Sequence, residues 1–175
     1  MAAAFHGDAT KLKALLLDPK SDAASKNDLG MTALMYGARH GHLSCIQILI
    51  PVSDSLVVDD VGMTPLMWAA FQGHASCLKL LLEVGDPLTK GQYGQTALML
   101  ASYSGHASCV DLLLPVSDLL AKDNDKKTAS QLASKRGHVH VAQNIEAYAL
   151  TQKDKLALNS LIPLGSPKKK SSLCV

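Results

Sequence analysis

A 32-residue repeat is the feature that most constrains the fold of this chain. Threonine recurs at this spacing, at Thr32, Thr64, Thr96 and Thr128. A Gly-His pair that begins at positions 41, 73, 105 and 137 keeps the same spacing, and so does a cysteine at positions 45, 77 and 109. A strict period of about 20–50 residues is typical of a solenoid built from small supersecondary units. The chain is therefore expected to be a stack of similar units.

The central copy shows what one unit contains. Thr64 followed by Pro65 predicts the start of a short helix, because a threonine N-cap and a proline at the first helical position both favour it. Gly73 is expected to end that helix with a positive φ. A second helix, which begins near Ala75, ends before turn-forming residues at 85–87 and a polar loop. Because two short helices cannot cover their own apolar surface, neighbouring units must stack.

The segment 62–74, with the sequence GMTPLMWAAFQGH, carries a family resemblance. It resembles the ankyrin repeat, which has about 33 residues and the motif T-P-L-H-x-A. The resemblance covers roughly residues 1–148 and implies an all-α, ankyrin-type α-solenoid of helix-turn-helix repeats with connecting loops or short hairpins. Two features depart from the family pattern. Methionine or glutamine replaces the histidine of the motif, and the unit is one residue short near Gly85. We expect altered corners on an unchanged fold.

About five repeats follow from the alignment. The first covers about residues 1–26 and is expected to be an N-terminal cap, because Asp8 and Lys11 stand where the other copies have histidine and cysteine. The alternative is that the chain is a piece of a longer array. The later repeats cover about residues 27–58, 59–90, 91–122 and 123–150, and the last of these is a degenerate C-terminal cap. These units form one ankyrin repeat domain over residues 1–162.

The C-terminal part differs in composition. Residues 151–162 have helical composition and a partial apolar face, which leaves both an extra packed helix and a free segment open. Residues 163–175 are rich in Pro, Gly, Ser and Lys and predict a disordered basic tail. Ser166 precedes a proline there and is a candidate phosphorylation site. The net charge is +4 over residues 151–175 and about −2 over the rest. Because the ordered part is nearly neutral, we predict no nucleic-acid partner.

The cysteines indicate the compartment. Equivalent positions on stacked helices lie roughly 8–10 Å apart, beyond the Cα separation of about 7 Å that a disulfide allows. We therefore expect reduced thiols and a cytoplasmic protein. No apolar run approaches the length of about 18 residues that a membrane span needs, so no integral membrane segment is expected. We also expect a monomer.

His74 and Cys77, three residues apart on one helix, raise the question of a metal site or a nucleophile. Zinc ligands converge on one ion at about 2.0–2.3 Å, whereas equivalent side chains along a solenoid stay a repeat apart. Catalysis needs one special copy of such a pair, and this pair recurs. Phosphate-binding glycine motifs do not occur in the sequence. We therefore predict no metal, no cofactor, no catalytic residue and no enzymatic activity.

Function is expected at positions where the copies differ. The resemblance implies that partners bind the loop tips and the exposed side of the first helix in each unit. Trp68 is assigned to the inter-repeat core instead. The middle of the implied surface is apolar and aromatic and its ends are charged, as in protein interfaces. The alternative is that these residues only pack on their neighbours. The implied partner-binding residues are Leu29, Met31, Arg39, His40, Val61, Met63, Phe71, Gln72, Tyr93, Gln95, Tyr103, Ser104, Lys127, Lys135 and Arg136.

These observations together predict a non-enzymatic module that binds other proteins, such as a scaffold or an adaptor. One alternative is a regulatory subunit or inhibitor of a single enzyme, such as a kinase, which would have one tight partner. The other alternative, an enzyme, has the least support in the residues. The identity of the partner cannot be predicted, because recognition is distributed over variable loops.

Overall fold

The computed structural model describes residues 1–18 and 21–161 of the chain. These residues form ten α-helices and no β-strand, in five helix-turn-helix units, so the predicted all-α stack of repeats is confirmed. The first helices of the units are α1 (Ala2–His6), α3 (Ala33–His40), α5 (Pro65–Gln72), α7 (Ala97–Ser104) and α9 (Ala129–Lys135). The second helices are α2 (Ala9–Leu16), α4 (Leu43–Leu49), α6 (Ala75–Leu81), α8 (Ala107–Leu113) and α10 (Val139–Leu161).

Each first helix after α1 starts at a threonine cap, as predicted. In α5 the Thr64 hydroxyl accepts a hydrogen bond from the backbone N–H of Met67 at 3.2 Å, and Pro65 occupies the first turn. Gly73 ends the helix with φ 81°, in the left-handed region that favours glycine. The sequence therefore placed both ends of this helix correctly.

The residue that replaces the family's histidine still contributes to two of these caps. In α9 the Gln131 side-chain oxygen accepts from the Thr128 backbone N–H at 3.1 Å, which completes a reciprocal capping box. In α3 the Met35 thioether sulfur lies 3.4 Å from the Thr32 backbone nitrogen and takes the same place. A thioether is only a weak acceptor, so this second contact stabilises its helix less.

The core runs through the whole stack without a break. First helices pack against first helices of adjacent units, and second helices against second helices. The leucine of the T-x-L motif is buried in each of the three units that have one, at Leu34, Leu66 and Leu98. Full burial of one such side chain contributes about 1.5–3 kcal/mol. The stability of each unit is thus tied to its neighbours, as a solenoid requires.

Histidine side chains join successive turns. His74 Nε2 lies 3.1 Å from the backbone carbonyl oxygen of Arg39 in the preceding unit, and His106 Nε2 lies 3.0 Å from that of Phe71. Each ring also covers the turn glycine of the preceding unit. A β-carbon placed on Gly73 would lie 2.5 Å from His106 Nδ1. The Gly-His pairs therefore serve contacts between units.

Corners and the C-terminal end differ between units. Short 3₁₀ turns follow α4 and α8, at Ile50–Val52 and Leu114–Val116. The corner after α6, where the sequence is one residue short of the family pattern, closes instead with a hydrogen bond from Gly85 N–H to the Leu81 carbonyl at 2.8 Å. Helix α10 is continuous to Leu161, so residues 151–161 extend the last helix and do not form a separate one. Ser166 and the predicted tail at 163–175 lie outside the described residues.

Among the described residues, no helix combines the length and the apolar character needed to cross a membrane.

Candidate functional site

An apolar groove of about 320 Å³ lies between the loop tips and the first helices of the third and fourth repeats. The predicted partner-binding residues that line it share a position at a loop tip or on a first helix. They are Val61, Met63, Phe71, Tyr93, Gln95 and Tyr103. The groove is also lined by residues that the sequence analysis did not select, namely Trp68, Met99, Leu100 and Leu132.

The polar neighbours of Trp68 fix its ring in the wall of the groove. Its indole Nε1–H donates to Asp59 Oδ2 at 2.8 Å, so the ring is held by a residue nine positions earlier. The other oxygen of Asp59 accepts from the backbone N–H groups of Val61 and Met63, at 3.1 and 2.8 Å. The buried carboxylate of Asp59 is therefore satisfied by three donors. Trp68 is half-buried and packs against the core, as assigned, and it also lines the groove.

The groove opens where this polar pair is missing. In the second repeat the equivalent pair is Asn27 and Tyr36, joined by a hydrogen bond from Asn27 Nδ2 to the tyrosine hydroxyl at 2.8 Å. In the fourth repeat the same two positions hold Gly91 and Leu100. Both the side chain that would hold a ring and the ring itself are lost there. The space between the third and fourth repeats is thus left to solvent or to a ligand.

Aromatic side chains form the two walls of the groove. The rings of Trp68 and Phe71 meet edge to face, with centroids 6.3 Å apart. Tyr103, at the position equivalent to Phe71 in the next repeat, is 36% exposed, and Tyr93 at the loop tip is 60% exposed. Phe71 and Tyr103, at equivalent positions of adjacent repeats, both line the groove.

An arginine covers an aromatic ring at each end of the groove. The Arg39 guanidinium lies 4.7 Å from the ring centroid of Trp68, and the Arg136 guanidinium lies 4.3 Å from that of Tyr103. These distances are within the range of cation–π contacts, which contribute about 0.5–1 kcal/mol at exposed sites. Neither guanidinium makes an ion pair with a carboxylate of the described residues. Both positive charges therefore remain available at the rim.

One predicted partner-binding residue is placed wrongly. Met31 is only 2% exposed and lies in the core. Its backbone N–H donates to Asn27 Oδ1 at 2.9 Å, and its sulfur lies 3.9 Å from Arg39 Nη1. The loop therefore turns the Met31 side chain inward. Met63, the equivalent residue of the third repeat, is also buried but lines the groove.

The remaining predicted partner-binding residues do not line the groove and differ in exposure. Leu29, Gln72, Lys135 and Arg136 are exposed, whereas Ser104 and Lys127 are half-buried. His40 belongs to an aromatic cluster at the N-terminal end and packs against Phe5, with ring centroids 4.6 Å apart. Burial and then the adjacent Arg39 charge lower the pKa of His40, which favours its neutral form.

The recurring cysteines and histidines have structural surroundings. Cys45, Cys77 and Cys109 are buried and are not joined in disulfides. Burial raises the pKa of each thiol, and that of Cys109 to about 11. A raised pKa suppresses the thiolate, which is the nucleophilic form. In the part of the chain that the structure describes, no three His, Cys, Asp or Glu side chains are grouped to hold a metal ion.

Comparison with known families agrees with this architecture. The family described as "Ankyrin repeats (3 copies)" matches residues 1–91 and 83–146. The chain therefore belongs to the ankyrin repeat family, whose members are generally protein–protein interaction modules. A comparison with curated proteins finds no significant match to this chain.

Proposed function

We propose that this protein is a non-enzymatic interaction module that binds a partner protein in the groove between its third and fourth repeats. The observation that carries the proposal is the aromatic groove itself, with Trp68, Phe71 and Tyr103 in its walls and an arginine at each end. Aromatic residues and arginine are the residues that most often dominate the energy of protein interfaces. They also occur here on rigid first helices, which keeps the entropy lost on binding small.

The proposal extends to the role in the cell. We propose that the protein is a scaffold or adaptor in the cytoplasm. We also propose that it acts as a monomer, because the groove is accessible on a single molecule. The second candidate is a regulatory subunit or inhibitor of one enzyme, such as a kinase. The two differ in the number of partners. A scaffold should retain several proteins that compete for the groove, whereas a dedicated regulator should retain one.

The double variant Phe71→Ala with Tyr103→Ala tests the proposal. A partner is first isolated on the immobilised wild-type protein, identified, purified and titrated by calorimetry. We expect the double variant to weaken that binding by at least about 2 kcal/mol, the scale of interface hot spots. Its thermal midpoint should change much less than that of Leu81→Ala, where a fully buried side chain is truncated. Unchanged affinity would show that the partner uses another face.

A second variant fills the groove instead of enlarging it. Gly91→Asp with Leu100→Trp transfers the polar pair of the third repeat to the fourth. A β-carbon at Gly91 would lie 3.3 Å from its nearest neighbour, the Gly62 carbonyl oxygen, so a side chain fits with a small adjustment. Binding should be lost although no contact residue is truncated. Retained binding in this folded variant would contradict the groove as the site.

A further inference from the structure

We propose that the groove recognises an extended acidic peptide segment, in which one apolar side chain is flanked on both sides by aspartate or glutamate. This inference rests on the proposed function, and it specifies the partner of the same site. It is carried by two observations together: the groove is lined by apolar residues, and neither arginine at its ends has a carboxylate partner among the described residues.

The floor of the groove favours an apolar anchor. Met63 and Met99 are almost fully buried, and Leu100 is 6% exposed, so the base is preformed and has no charged group. Methionine side chains adapt to irregular shapes, and aromatic walls add specific geometry. Burial of one leucine or phenylalanine side chain there would supply most of the affinity.

The rim supplies the charge preference. Arg39 stands in the last turn of α3 and Arg136 caps the end of α9, so both project from the helix side of the groove. The two guanidinium groups lie over the rings of Trp68 and Tyr103, at 4.7 and 4.3 Å from the ring centroids. A planar guanidinium that stacks on a ring can still bind a carboxylate through its edge. We therefore expect the ligand to supply the carboxylates that pair with these arginines.

The carboxylate nearest the groove does not compete for these arginines. Asp59 already accepts hydrogen bonds from two backbone N–H groups and from the Trp68 indole. The exposed Asp60 side chain lies against the turn of the preceding repeat, where a β-carbon on Gly30 would lie 2.5 Å from its Oδ1. An acidic ligand should thus direct its carboxylates toward the helices.

Spacing limits the ligand further. The two arginines contact rings of adjacent repeats, so their guanidinium groups are separated by roughly one to two repeat spacings, about 10–20 Å. An extended peptide rises about 3.3 Å per residue, so roughly three to six residues separate the two acidic positions. The chain's own segment with Lys168, Lys169 and Lys170 has the opposite charge and is a poor occupant.

The test is a selection from a random 12-residue peptide library displayed on phage, with the full chain immobilised. We expect the recovered peptides to share an apolar residue between two acidic residues. Synthetic versions should bind about tenfold more weakly to Arg39→Gln with Arg136→Gln, because two exposed charge pairs are removed. The matched control, Lys13→Gln with Lys79→Gln, changes the net charge equally on second helices and should bind like the wild type.

The possible outcomes separate this inference from the proposed function. Peptides that lose binding in Phe71→Ala with Tyr103→Ala but show no acidic enrichment would overturn the charge preference and leave the groove as a binding site. Peptides unaffected by that aromatic variant would overturn both. Competition by the oligonucleotide (dT)12 at the groove would also overturn the inference, since stacked bases and phosphates would then be the better ligand.

Discussion

Two turns with nearly the same backbone lie in different surroundings at the centre and at the end of the stack. Gly73 has φ 81° and Gly137 has φ 84°, and each precedes a histidine. A β-carbon on Gly73 would collide with the ring of His106, whereas one on Gly137 would meet no atom of the described residues within 4 Å. The central glycine is thus required for two reasons, its dihedral angle and the next repeat. The terminal glycine is required only for its dihedral angle.

The loop turns repeat this contrast. Gly30 has φ 71°, and a β-carbon there would lie 2.5 Å from the Asp60 side chain of the next repeat. At the equivalent position of the last repeat, Lys126 has φ 62°. No further repeat packs there within the described residues, so a side chain fits even though its backbone is strained. The last repeat therefore keeps the same turn conformation, but no following repeat excludes a side chain from the turn.

The largest effect is expected from Gly73→Ala compared with Gly137→Ala. The terminal substitution should cost about 1 kcal/mol, the strain of a left-handed alanine. The central one adds displacement of the His106 ring and should cost roughly 2–4 kcal/mol in total. Urea unfolding of both variants measures the difference. Equal losses would mean that the histidine ring moves aside freely and that the comparison of centre and end is wrong.

A smaller loss of stability is expected when the aromatic residue at equivalent positions of the second and third repeats is replaced by phenylalanine. Trp68→Phe removes a donor from the buried Asp59 carboxylate and should destabilise by about 1–3 kcal/mol. Tyr36→Phe removes the partner of the neutral Asn27 amide and should cost about 0.5–1.5 kcal/mol. Thermal unfolding of the two variants provides the measurement. A larger loss for Tyr36→Phe would show that the hydrogen bond between Trp68 and Asp59 is the weaker of the two.

Lys126→Gly should stabilise the end of the stack slightly. Glycine relieves the left-handed strain but is more flexible when unfolded, so the net gain should be about 0.5–1 kcal/mol. Hydrogen exchange of the last repeat should slow in proportion. A matched change at Lys127, which has no positive φ, should not stabilise. A destabilised Lys126→Gly variant would show that the lysine side chain contributes more than its backbone costs.

The last effect occurs only at alkaline pH and concerns a buried cysteine of a central repeat. Because burial raises the pKa of Cys109 to about 11, the folded state favours the neutral thiol. Its contribution to stability is complete below the unfolded cysteine pKa of about 9 and is lost as the pH rises from there toward 11. Cys109→Ala should therefore flatten the alkaline decline in stability, measured by urea titrations across this range. An unchanged pH profile would contradict the raised pKa.

The fold could be predicted because its signals recur. Thr64, Pro65 and Gly73 each favour one backbone conformation locally, and three further copies at the same spacing repeat most of that information. The continuous α10 was not predicted, since residues 151–162 carry no strong helix stop or packing pattern. Because the sequence there shows neither a clear end of the helix nor a clear packing face, the length of α10 could not be predicted.

The site could be predicted only in part. Phe71 and Tyr103 were found because they vary at a position that the family leaves exposed. Trp68 was assigned only to the core, because Tyr36 and Leu100 hold its position in other repeats, and its place in the groove depends on a hydrogen bond to Asp59. The available signal was the paired variation of positions nine residues apart, from Asp59 and Trp68 to Gly91 and Leu100. Met31 was misplaced because the inward turn of its loop is set by Asn27.

The chain's one tryptophan, Trp68, lies in the groove and gives the most direct test of the central claim. Tryptophan-free peptides from the library selection are titrated into the protein while Trp68 emission and its quenching by acrylamide are followed. We predict a saturable change in emission and reduced quenching, with the same Kd as an independent anisotropy titration. Binding by anisotropy that leaves Trp68 emission and quenching unchanged would show that the ligand does not occupy the groove.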